Sequence, residues 1–131
     1  MGIEQSIMKV NFEDVKQIEN NNNFLLINTL PSNDQTCLIK GTIPINNEEE
    51  IINKNLKNNK ISIIIYGKNS NDDKIFKKYK QLISLGFSKV YIYPGGLFEW
   101  LCLQDIYGKF EFSTIGNELD ILKYKAKSMI T

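Results

Sequence analysis

Three short apolar runs punctuate the chain, at residues 24–27 (FLLI), 61–66 (ISIIIY) and 90–93 (VYIY). They are continuous rather than alternating, the pattern of strands covered on both faces. The second is rich in β-branched residues, which favours a strand further. The third stops at Pro94, Gly95 and Gly96. Between the second and third, Ile75, Phe76, Tyr79, Leu82 and Ile83 recur at i, i+3, i+4 spacing. Residues 73–85 therefore read as an amphipathic helix that Gly86 terminates. Further helices are predicted at 11–18, at 48–56 with its leading glutamates, at 97–103 and at 117–127, and a short strand near 8–10. The order β, α, β, loop, α, β, α, β, α predicts an α/β fold: a three-layer α/β/α sandwich around a mainly parallel sheet of about five strands. Such sheets bind ligands beyond the carboxyl ends of their strands. The segment leaving the middle run, residues 67–72, is thus the first place to look for function.

Composition narrows the chemistry. At 131 residues the chain is expected to form a single domain, 1–131, with a helical C-terminal extension at about 116–128. Asparagine, lysine and isoleucine dominate, and the tract 20–23 is asparagine alone. A net charge of +1 argues against a nucleic-acid partner. Histidine is absent, and all sixteen basic residues are lysine. Neither a Ser-His-Asp nor a Cys-His nucleophile can be assembled. Imidazole zinc sites are excluded, and Cys37 and Cys102 are too few for a thiolate cage, so no metal or cofactor is expected. A bidentate arginine fork for phosphate or sulfate is also missing. The two cysteines read as reduced thiols of a cytoplasmic protein. No apolar run approaches the ~18 residues that span a bilayer. Gly2 and Ser6 fit the M-G-x-x-x-[ST] acylation pattern, which makes Gly2 a candidate myristoylation site and the only expected route to a membrane.

Four segments together resemble the rhodanese family across residues 7–107. Residues 25–30 (LLINTL) are similar to the family's early strand, which usually ends Asp-Val-Arg. Residues 38–45 (LIKGTIPI) are similar to its His-Ile-x-Gly-Ala-Ile-x-Ile signature. The run 61–66 resembles the central strand, and 86–100 (GFSKVYIYPGGLFEW) the Gly-Phe, strand, Gly-Gly, aromatic-Trp ending. The resemblance implies a loop of form CxxGxR after the central strand, whose cysteine accepts a sulfane sulfur as a persulfide. Backbone N–H groups would surround that sulfur as a helix N-terminus holds an anion. Here the loop reads Gly67, Lys68, Asn69, Ser70, Asn71, Asp72. Glycine stands for the cysteine, serine for the loop glycine and aspartate for the arginine. Asn28, Leu30 and Leu38 replace the polar residues of the earlier signatures.

Gly67 cannot carry a persulfide or a phosphoryl group. Asp72 and Asp73 are expected at the start of the next helix, using their carboxylates on its free N–H groups. Lys68 and Ser70 are the candidate contacts for a residual anion. The expectation is a catalytically inactive rhodanese-like module that binds a protein partner or a small anion. The alternative is a diverged sulfurtransferase with Cys37 or Cys102 as acceptor. Cys37 is expected in an accessible loop, and Cys102 buried on the helix that holds Trp100. Lys74, Lys77, Lys78 and Lys80 form a basic helix face, a solvated exterior, and Glu99 and Asp105 are not visibly paired.

Overall fold

A computed structural model of the chain describes residues 7–130; the candidate acylation site at Gly2 lies outside them. The run 61–66 forms the central strand. Strand β1 spans Met8–Lys9, helix α1 Phe12–Gln17, β2 Phe24–Asn28 and β3 Leu38–Ile39. There follow α2 (Ile45–Lys54), β4 (Ser62–Tyr66), α3 (Lys74–Ser84), β5 (Val90–Ile92), α4 (Gly96–Tyr107) and β6 (Thr114–Ile115). Single 3₁₀ turns occupy Ser32–Asp34 and Ile121–Tyr124. The main sheet runs β1-β5-β4-β2, all parallel, with Leu26 opposite Ile64 and Ile65 opposite Ile92. Beyond β2, a single parallel bridge from Leu26 to Thr42 stands where a fifth strand would lie. The small strands β3 and β6 pair antiparallel.

The side-chain period of two splits β4 between two cores. Ile64 and Tyr66 face α1, α4 and the C-terminal segment, packing with Val15, Leu97, Trp100, Leu101 and Tyr124. Ile63 and Ile65 face α2 and α3, packing with Ile52, Ile75 and Leu82. Every residue of β4 is buried, which is why its sequence is continuous rather than alternating. The expected α/β/α layering is therefore present. Asn11 starts α1 with a reciprocal capping box to Asp14. Gly86, at φ +108°, ends α3 with Phe87 N–H returning to Leu82 O.

Two expected boundaries move. Helix α2 starts at Ile45 behind Pro44 rather than at Glu48, and α4 continues past Leu103 to Tyr107. One element is corrected. Residues 117–127 are not an α-helix; they hold only the turn Ile121–Tyr124. A helix this short needs an apolar stripe docked on the core. Here Tyr124 is fully buried and Ile121 partly so, while Leu119, Leu122 and Met129 stand in solvent. After the turn, Lys125 is extended at φ −67°, ψ 156°. No helix of the described residues is long and apolar enough to cross a membrane.

Candidate functional site

Strand β4 ends at Tyr66 and the chain enters the 67–72 loop at the carboxyl end of the sheet. Thr29 follows β2 and donates its N–H to Tyr66 O at 2.9 Å, which sets Thr29 beside the loop's first residue. Its hydroxyl donates to Asp72 Oδ2 at 3.0 Å, and Asp72 Oδ1 accepts from Lys74 N–H at 3.0 Å. The Asp72 side chain thus folds back across the loop and caps α3 in the same conformation. Asp73, expected to share that capping, makes no side-chain cap bond.

Gly67 is buried beneath this bridge. A Cβ built on it would fall on Asp72 Oδ2, 2.8 Å from Thr29 Oγ1 and 2.9 Å from Asp72 Cγ. Its φ lies outside the left-handed region, so a side chain is refused by lack of space rather than by backbone conformation. Where the resemblance puts a sulfur acceptor, this chain has a carboxylate and a hydroxyl.

The rest of the loop is tied down as well. Leu97 and Phe98, in the first turn of α4, donate N–H bonds to Gly67 O (2.9 Å) and Lys68 O (2.8 Å). Such close approach requires Gly96, whose φ is +65° and whose notional Cβ would sit 2.6 Å from Gly67 O. Asn69 Oδ1 accepts from Asn71 N–H, and Asn69 Nδ2 donates to Tyr124 O, each at 2.8 Å. Lys68 is half-buried, its Nζ 3.4 Å from Asp34. Asp34 also meets Lys123 at 3.2 Å, and Lys123 meets Glu118 at 3.1 Å. Burial acts to raise the Asp34 carboxyl, but hydrogen bonds and charge from Lys123 and Lys68 prevail and hold it below the ordinary value. The Glu118 carboxyl is lowered chiefly by its bond from Lys123. Lys68 and Ser70 are therefore not brought together as an anion contact: Lys68 is committed to Asp34, and Ser70 is in solvent.

The replaced signature residues have become core. Leu30 and Leu38 are buried in the Tyr66 cluster. Asn28 is buried with its Oδ1 accepting from Leu30 N–H (3.0 Å) and Gln35 Nε2 (2.8 Å). The cysteines reverse their expected settings. Cys37 is fully buried because β3 and the C-terminal segment close over it, with Gly116 O 4.0 Å from its sulfur. Cys102 is only half-buried on α4. Burial raises both thiols, with Asp105 and Glu99 adding to the effect at Cys102. Glu99, seemingly unpaired in sequence, accepts a 2.6 Å bond from Tyr93 Oη. Burial foremost, and this carboxylate next, raise the Tyr93 phenol.

Sequence reasoning passed over Thr29, Asp34 and the tail lysines Lys123, Lys125 and Lys127. These lysines line a cleft of about 540 Å³ with Lys68, Lys74 and the loop. Lys123 belongs to the 3₁₀ turn while Lys125 and Lys127 follow it outside any helix or strand, so no single period marked the three in sequence.

A family model described as Rhodanese-like domain matches residues 11–102. Among solved structures, the chain is similar to the BH2092 protein of Bacillus halodurans, at 18% identity and a TM-score of 0.63, covering 83% of this chain and 77% of that one. It is also similar to the Rhodanese-like domain of the Alr3790 protein from Anabaena, at 19% identity and a TM-score of 0.60, covering 94% and 87%. A protein from Lactobacillus plantarum matches at 19% identity and a TM-score of 0.55, covering 74% and 84%. No curated protein matches. With the fold order, the sheet topology and a family match over most of its length, this chain belongs to the rhodanese-like domain family.

Proposed function

We propose that this protein is a non-catalytic rhodanese-like module whose role is to bind a partner. One observation carries the reading: the Asp72 carboxylate and the Thr29 hydroxyl fill the space that a side chain at position 67 would need. A persulfide requires a thiolate in a cradle of N–H donors. Gly67 supplies no sulfur, and the carboxylate beside it would repel thiosulfate, a persulfide or a sulfite leaving group. Lys68 does not compensate, because Asp34 neutralises it.

Burial speaks against the alternative of a diverged sulfurtransferase. Cys37 is sealed in the core, and both thiols are raised, which lowers the thiolate fraction on which nucleophilic attack depends.

The test combines turnover with mass. Purified protein incubated with thiosulfate and cyanide is expected to form thiocyanate no faster than buffer. Its intact mass after thiosulfate alone should stay unchanged, with no gain of about 32 Da, the one added sulfur of a persulfide. Thiocyanate formation abolished by alkylation, together with that adduct, would overturn the reading. Cys37→Ser and Cys102→Ser would then identify the acceptor.

A further inference from the structure

We propose that the cleft between the 67–72 loop and the C-terminal segment is a docking site for an extended acidic segment of a partner protein. The proposal deepens the binding-module reading, and rests on it for the loop's being free of chemistry.

The cleft has a wall of loop and helix start, Lys68 to Lys74, and an opposite wall made by the tail. On the tail wall, Lys123, Lys125, Lys127 and Met129 all line the cleft, while Tyr124 between them is buried in the core. Lys123 belongs to the 3₁₀ turn and the chain bends at Lys125, so only Lys125 and Lys127 share the non-helical stretch that follows, where an extended chain sets alternate side chains roughly 6.6 Å apart. A partner strand with an acid at every second position carries carboxylates at the same interval. Two successive acids of such a partner can meet Lys125 and Lys127, with Lys74 on the opposite wall.

The tail is pinned at one end. Tyr124 is buried, its carbonyl accepts from Asn69 Nδ2, and Lys123 reaches Asp34 and Glu118. Those acids occupy Lys68 and Lys123 from within. Asp72 is turned away toward Thr29 and the α3 backbone. Lys74, Lys125 and Lys127 are left as exposed ammonium groups with no acid within 4 Å among the described residues, facing one exposed carboxylate, Asp73. Like charges so close favour an anion between them. Leu122 and Met129, both largely exposed, add an apolar contact at either end of the lysine row.

This lining favours a peptide over other polyanions. No aromatic ring lines the cleft on which a nucleobase could stack. The lysines sit in a recess rather than on a convex basic face of the kind a flat membrane surface meets.

The test uses the full chain and fluorescence anisotropy of a labelled peptide about eight residues long, enough to span the row at ~3.3 Å per residue. Its glutamates stand at every second position, separated by leucine and serine. Binding that weakens with salt is expected. Lys125→Glu with Lys127→Glu should weaken it on the order of tenfold or more, since each attraction becomes a repulsion. Lys57→Glu with Lys60→Glu, in the exposed turn before β4 at the opposite end of the sheet, should change it by less than about twofold. Asp73→Asn should tighten it. An isomeric peptide with its glutamates in one block should bind more weakly.

Equal losses from both lysine pairs, or equal affinity for both peptides, would overturn the proposal, as would absence of binding at low salt. Tighter binding of single-stranded polynucleotide or of anionic vesicles, with the same dependence on Lys125 and Lys127, would overturn it in favour of that ligand. Sulfur transfer by the unaltered protein would remove the non-catalytic reading and leave these affinities as measured, so the two failures are distinguishable.

Discussion

If the Asp72 carboxylate occupies the place of a side chain at position 67, two substitutions that look unrelated in sequence must be strongly coupled. Asp72→Ala removes the Thr29 hydrogen bond and the cap on Lys74 N–H. A lost cap is worth about 1 kcal/mol and a half-exposed charged hydrogen bond about as much, so the expected loss of stability is about 2 kcal/mol. Gly67→Ala removes no interaction directly. Its new methyl group, however, lands on Asp72 Oδ2, and the carboxylate is a side-chain end that can swing out. Expulsion breaks the same two bonds, offset by about 0.5 kcal/mol from a stiffer unfolded chain. In the double variant those bonds are lost only once, and the methyl group takes the space of the carboxylate once the Thr29 hydroxyl, freed of its acceptor, turns aside. It should therefore fall near or slightly above Asp72→Ala alone, about 1.5 kcal/mol below the starting protein instead of the roughly 3.5 that additivity predicts. Urea unfolding followed by tryptophan fluorescence measures this through shifts in midpoint at constant slope. Additive losses, or a Gly67→Ala variant as stable as the original, would mean that the carboxylate does not fill the site and that the principal support for the non-catalytic reading is gone.

The remaining predictions concern protons. Lys123 and Lys68 hold the Asp34 carboxyl below its ordinary value, and Lys123 does the same for Glu118. A lowered carboxyl contributes stability at pH values above its unfolded pKa and loses it as pH falls through the folded one. The C-terminal segment should thus loosen as pH drops below about 4, seen as lower protection of the Tyr124 and Lys125 amides relative to an unfolded chain, and Asp34→Asn with Glu118→Gln should remove that dependence. For the thiols, an aromatic disulfide reagent near neutral pH should modify Cys102 slowly and leave Cys37 intact until denaturant is added; prompt labelling of Cys37 in the folded protein would contradict its burial.

What could be read from the chain, and what could not, divides by the range of the interactions involved. Strands β2, β4 and β5, the amphipathic α3 and its Gly86 stop are written in runs of a dozen residues or fewer, because local period and turn chemistry decide them. That residue 67 is glycine, on which the proposed non-catalytic reading rests, was equally legible, since it needed only the identity of one residue. What fills the space beside it was not. Thr29 and Asp72 are 43 positions apart and meet only because the parallel pairing of β2 with β4 brings their carboxyl ends side by side. Asp34, Lys68 and Lys123 come from three separate segments, and Lys123 reaches the loop only through the burial of Tyr124. The tail was misread as a helix because its residues have helix-compatible propensities, while the decisive fact is where its apolar side chains go: Tyr124 into the core and Leu119, Leu122 and Met129 into solvent. Propensity is a weak force beside the burial of one large ring and the ion pairs that pin it. The same expectation also obscured the proposed docking cleft. A helical tail would scatter Lys123, Lys125 and Lys127 around its circumference, whereas the 3₁₀ turn and the non-helical chain after it place all three on the cleft opposite the altered loop. The loop at Gly67 and the lysine-lined cleft therefore occupy the same end of the sheet, where this topology leaves a ligand its opening.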